Sequence, residues 1–202
     1  MPIISLALFF IFAALGFGWR SWVQHRRTGS TGFRGISGRP GSIEWFAGVG
    51  FIVAMAAAVF APALQLAGAV SPLPLLDETW SHVIGIVVAV IGIAATVYAQ
   101  LDMGDSWRVG VDSGETTTLV RTGVFGWIRN PIFTAMMTFG FGIALVTPNF
   151  VALIGFVLLV VTIELQVRVV EEPYLLVAHG DAYRDYLATV GRFIPGAGLR
   201  VH

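Results

Sequence analysis

A helix needs about 20 consecutive apolar residues to cross the hydrocarbon core of a bilayer. This chain holds five runs that reach or approach that length, at about residues 2–19, 45–70, 80–101, 132–147 and 150–167. Backbone polar groups in lipid must find their partners inside their own segment, so runs of this kind span as helices. The predicted fold class is therefore all-α: an integral membrane helical bundle of five transmembrane helices in a single domain, 1–202. Only Pro148 and Asn149 separate the fourth run from the fifth, which predicts a tight antiparallel hairpin. Composition agrees: 12% of the residues are charged, against about 25% in soluble domains.

The first run is not read as a signal peptide. No basic residue precedes it, while Arg20, Arg26 and Arg27 follow it, the reverse of a signal's charge order. All twelve basic residues are arginines. They fall after the first run, after the third and after the fifth, and none falls between the second and third or between the fourth and fifth. The positive-inside rule makes the arginine side cytoplasmic, with the N-terminus outside. Small residues four apart, such as Ala54 and Ala58 or Gly140 and Ala144, suit close helix packing in lipid. The glycine-rich, basic stretch from Thr28 to Ser42 reads as a loop near anionic headgroups.

Two inner segments, about 105–131 and 168–195, are too polar to be plain connectors. In the first, Pro131 is expected to begin the fourth helix, with Asn130 at its cap. Free backbone N–H groups at such an end favour an anionic group. In the second, Glu164, Arg168, Glu171 and Glu172 lie at helical spacing and can share a face. Charges this close to a span are costly and are usually kept for a polar cavity, although a Glu164–Arg168 pair also fits a purely structural ladder. Gly180 and Asp181 read as the start of a short amphipathic C-terminal helix that carries Tyr183 and Tyr186 on one face.

These two segments resemble the membrane methyltransferases of the isoprenylcysteine carboxyl methyltransferase and phospholipid methyltransferase type. The first block of that family, roughly L-V-x-x-G-x-Y-x-x-x-R-H-P-x-Y, is matched by Leu119, Val120, Gly123, Phe125, Arg129, Asn130, Pro131 and Phe133. The second, roughly E-E-x-x-L-x-x-x-F-G-x-x-Y-x-x-Y, is matched by Glu171, Glu172, Leu175, His179, Gly180, Tyr183 and Tyr186, and a closing R-x-x-P by Arg192 to Pro195. The resemblance implies S-adenosylmethionine as the methyl donor and a lipophilic, membrane-embedded acceptor. It implies a donor site at Thr117, Thr118, Leu119, Val120, Phe125, Arg129, Asn130, Pro131, Phe133, Glu171, Glu172 and Tyr183, with Arg168 and Glu172 as catalytic candidates. Three departures stand out. Asn130 replaces a histidine and cannot titrate near neutral pH. Phe125 and Phe133 lack the hydroxyls of the tyrosines they replace. Pro173 is expected to bend the fifth helix.

The absence of cysteine removes thiolate chemistry. His25, His82, His179 and His202 do not form a ligand pair at metal spacing, and a formal net charge of zero gives no sign of a nucleic-acid partner. Two other readings fit parts of the pattern: an NADPH-dependent sterol-type reductase, whose phosphate the paired glutamates would repel, and a non-catalytic membrane binding protein. The acceptor fits several chemistries: prenylated cysteine, phospholipid amine, quinone-like lipid or small thiol.

Overall fold

The computed structural model describes residues 1–33, 35–109 and 118–200. Thr117 and Arg34 lie outside the described residues. Among the described residues the chain is helical and contains no strand.

Helix α1 (Pro2–Ala13) continues through a π-helical turn, Ala14–Trp19, into α2 (Arg20–Thr28). The result is one apolar rod of 27 residues. The predicted first span is thus extended by about nine residues, because nothing in Arg20–Thr28 breaks a helix until Gly29. That glycine stops it with φ +75°, a left-handed conformation that only glycine adopts readily. Helix α3 (Ile43–Leu66) begins where Ser42 Oγ accepts from Trp45 N at 3.3 Å, and α4 (Thr79–Met103) follows. Helix α5 (Pro131–Val146) is 16 residues long, and α6 (Phe150–Leu165) begins where Asn149 accepts from Ala152 N at 2.9 Å. Helix α6 runs on through a π-helical turn, Gln166–Glu171, into α7 (Glu172–His179), and α8 (Asp181–Thr189) closes the set. Pro173 does not end the fifth helix. It cannot donate to the preceding turn, and the wide turn before it absorbs that loss, so the rod continues to His179. Four helical rods, Pro2–Thr28, Ile43–Leu66, Thr79–Ser106 and Phe150–His179, are long and apolar enough to cross a membrane, and Pro131–Val146 is a shorter apolar helix.

Helix α4 packs along α5, and α3 along α6. The α4–α5 seam is close because glycine removes the side chains there. A Cβ at Gly92 would lie 2.5 Å from Phe139 N, and one at Gly142 would lie 2.4 Å from Ala89 N. Phe12 of α1 stacks on Phe139 at 4.1 Å between centroids and 12° between planes. Ile93, Met136, Ile143, Leu159 and Ile163 complete that core. The outer faces carry exposed Ile3, Phe10, Phe60, Val87 and Ile154, as expected of surfaces solvated by lipid tails.

Candidate functional site

The end of α4, the start of α5 and the turn between α6 and α7 enclose a cavity of about 360 Å³, within the usual size of small-molecule sites, roughly 300–1,000 Å³. Three local arrangements build its walls. The first is the end of α4. Gln100 Nε2 donates to Gly16 O at 2.9 Å and Gln24 Nε2 to Asp105 O at 2.7 Å. Arg20 Nη2 donates to Gly104 O, and the Arg20 guanidinium lies 4.7 Å from the Trp107 ring centroid. These contacts fix the segment that carries Trp107 and Arg108 against the first rod. Val109 N donates to Gly32 O at 2.8 Å, which adds the glycine-rich loop to the same wall.

The second arrangement is the turn before α5. Asp102 Oδ2 accepts from Val124 N at 2.8 Å. Gly123 has φ +57°, a conformation that favours glycine, and a Cβ there would sit 2.1 Å from Asp102 Oδ2 and displace the carboxylate that accepts from Val124 N. The 3₁₀ turn Gly123–Gly126 buries Phe125, whose carbonyl accepts from the Tyr186 hydroxyl. Asn130 is the N-cap residue of α5, as expected, but its side chain does not cap that helix. Instead Asn130 Nδ2 donates to Arg192 O at 3.1 Å, and Thr134 Oγ1 donates to Phe193 O at 2.9 Å. The first turn of α5 is thereby sewn to the C-terminal segment. Its proline start leaves the amides of Ile132 and Phe133 without helical partners.

The third is the π-helical turn with α7. Glu171 lines the cavity and is hydrogen-bonded by Gln166, five residues before it, the spacing that a π turn brings together. Glu172 turns the other way. It is 1% exposed and receives Arg192 Nε at 2.7 Å, Arg192 Nη2 at 3.1 Å and Arg129 Nη2 at 3.2 Å, with Arg200 Nη2 at 3.5 Å. Arg129 also donates to the carbonyls of Leu187, Val190 and Gly198.

The structure brings ten of the expected residues to the cavity wall: Thr118, Leu119, Val120, Phe125, Arg129, Asn130, Pro131, Phe133, Glu171 and Tyr183. Thr117 falls outside the described residues. Two it does not bring there. Glu172 is taken up by arginines behind the wall, because the bidentate pair with Arg192 satisfies both its oxygens. Arg168, expected as a catalytic candidate, is instead exposed and paired with Glu164 on the outer face of the rod, the structural alternative for that pair. The sequence reading assigned no role to Arg108, Tyr174, Gln100 or the aromatic residues Phe17, Phe33 and Phe51, all of which line the cavity. Arg108 next to Trp107, at the start of the polar segment that follows the third apolar run, was the one local signal. The others come from elements far away in the chain.

Burial holds both phenols of α8 neutral, Tyr183 well above the usual range and Tyr186 up to about 12. An unfolded tyrosine ionises near pH 10. Their contribution is therefore complete below pH 10 and is lost as pH rises from about 10 towards 12. The melting temperature in detergent is expected to fall across that window, less steeply for Tyr186→Phe. At neutral pH, Tyr186→Phe is expected to cost about 1–3 kcal/mol, since it strands the Phe125 carbonyl. A flat alkaline profile would contradict the assignment.

The sequence profile of the family described as "Phospholipid methyltransferase" matches residues 80–182. A protein-S-isoprenylcysteine O-methyltransferase from Xenopus laevis is 27% identical over 120 residues, covering 58% of this chain. The match covers 41% of the relative, so the chain spans about two-fifths of that protein's length. The matched family segment takes in α4 to α7 and the connecting segments that carry most of the cavity's polar wall, and extends over just over half of the sequence. The chain belongs to the phospholipid methyltransferase family.

Proposed function

We propose that this protein transfers a methyl group from S-adenosylmethionine to a lipophilic acceptor at the inner face of a membrane. One observation carries the reading: two blocks about 40 residues apart in sequence, one ending at Phe133 and one starting at Glu171, line a single cavity. In this reading the chain is one domain that spans five times, with α5 and α6 as an antiparallel hairpin. The N-terminus lies outside and the cavity on the arginine-rich side.

The residues present fit the donor. When bound, it supplies an activated methyl group on a positively charged sulfur. The rings of Phe125, Phe133 and Tyr183 line the cavity and suit a cation, and Glu171 offers a carboxylate to an amino or hydroxyl group. The apolar side of the cavity, with Phe17, Phe33, Phe51 and Ile52, excludes water and suits an acceptor's hydrocarbon part. Alignment in such a dry pocket can supply roughly 7–11 kcal/mol of the barrier. A carboxylate or thiolate acceptor needs no base. In this reading Glu172 holds the wall together and Arg168 stays outside the chemistry.

The test is ligand-induced stabilisation in detergent. S-adenosylmethionine and its demethylated product are expected to raise the melting temperature, and NADPH is not. At 100 times the dissociation constant the gain is about 2.7 kcal/mol. Stabilisation by NADPH alone would favour the reductase reading. Incubation with labelled donor and a membrane lipid extract then identifies the acceptor by the species that gains label.

A further inference from the structure

The charged groups on the cavity wall are unevenly committed. Arg129 turns its two Nη groups to Glu172 and to backbone carbonyls. Arg108 does not. Its Nη1 is shielded from solvent and has no hydrogen-bond partner among the described residues. Its guanidinium carbon lies 5.2 Å from the centroid of the Tyr174 ring, a stacking that fixes the guanidinium plane and leaves its edge for in-plane acceptors. On the same cavity wall stands Glu171, which feels the charge of Arg108. No ion pair joins the two. An unspent cation donor and a carboxylate, set apart in an apolar cavity, lack a ligand with the opposite pair of charges.

Resting on the methyl-donor reading above, we infer that Arg108 and Glu171 form a two-point receptor for an α-amino-acid end, Glu171 taking the ammonium and Arg108 the carboxylate. The group held there is the methionine moiety of the donor. Glu171 alone would bind the ammonium and leave the carboxylate desolvated without a partner, an arrangement strongly disfavoured in an apolar site. The chemistry sets an orientation: the amino-acid end lies between the end of α4 and the π-helical turn. The sulfonium and adenosine are left to the aromatic wall near the start of α5.

Calorimetry in detergent with three probes tests this: S-adenosylmethionine, its decarboxylated analogue, and methylthioadenosine, which lacks the amino-acid end. The wild-type protein is expected to prefer S-adenosylmethionine to the decarboxylated analogue by roughly 10- to 100-fold, the ordinary worth of a charge-assisted hydrogen bond. Arg108→Gln is expected to lose that preference by weakening S-adenosylmethionine alone, and Arg108→Lys to recover part of it. Glu171→Gln is expected to weaken both amine-bearing probes and spare methylthioadenosine. Equal weakening of all three probes by Arg108→Gln would show a structural role and overturn the inference, as would a wild-type protein indifferent to the carboxylate. Failure of all three probes to bind wild-type protein would overturn the methyl-donor reading itself, a distinguishable result.

Discussion

Glu172→Ala is expected to lower stability by about 3–5 kcal/mol, the usual consequence of removing one partner of a buried charge cluster. In a chain of this size that is a fall in melting temperature of roughly 10 °C. The side chains of Arg129 and Arg192 are 1% and 6% exposed and share this one carboxylate. Without it, two guanidiniums face each other away from water. The damage is expected to localise: proteolysis should begin after Thr189, because Arg129 is the link that ties the Leu187, Val190 and Gly198 carbonyls to the turn before α5. Arg168→Ala is the contrast. Its partner Glu164 is an exposed neighbour on the same rod, and such pairs contribute only about 0–1 kcal/mol. Equal effects of the two substitutions, measured by thermal unfolding in detergent, would mean that Glu172 is not the hub described.

Gly92→Ala is the second large effect, and its sign is decided by competing magnitudes. Alanine in a helix interior is favoured over glycine by about 1 kcal/mol. The added Cβ, however, would lie 2.5 Å from Phe139 N and 2.7 Å from Phe139 Cα. These are backbone atoms of a packed helix and cannot swing aside. Overpacking of this kind costs about 1–3 kcal/mol or more, and contact with two backbone atoms places it at the upper end. A net loss of about 2 kcal/mol is expected, together with separation of α4 from α5 and weaker donor binding, because both helices end at the cavity. Gly18→Ala serves as the control: its Cβ would meet only Ala13 O, at 3.9 Å. There the helix preference acts alone and stability should hold or rise. A Gly92→Ala protein as stable as wild type would show that the seam can open without loss.

Two of the family departures acquire a physical meaning from these contacts. Asn130, in place of the histidine, supplies an amide donor to Arg192 O. That role needs a donor at the right reach and no titration. Pro173 is accommodated by the π-helical turn before it, and the same turn brings Gln166 to Glu171. The proline expected to bend the rod therefore sits beside a feature that shapes the cavity.

Much of this was legible in the residues alone, because the signals were periodic or local. Apolar runs near bilayer length gave the helices, since a backbone in lipid has no other way to satisfy its polar groups. Pro131 gave the start of α5, and the break at Pro148 and Asn149 separated α5 from α6. The family resemblance of the two segments implied ten residues that line the cavity wall. What spacing could not say is which way each side chain turns. Glu171 and Glu172 are adjacent and chemically identical, and only the π-helical turn sends one into the cavity and the other into three arginines. The glycine seam, the Trp107–Arg20 stack and the place of Arg108 beside Tyr174 all join elements distant in sequence. They depend on how closely the rods approach, a quantity set by packing in three dimensions and carried by no local pattern.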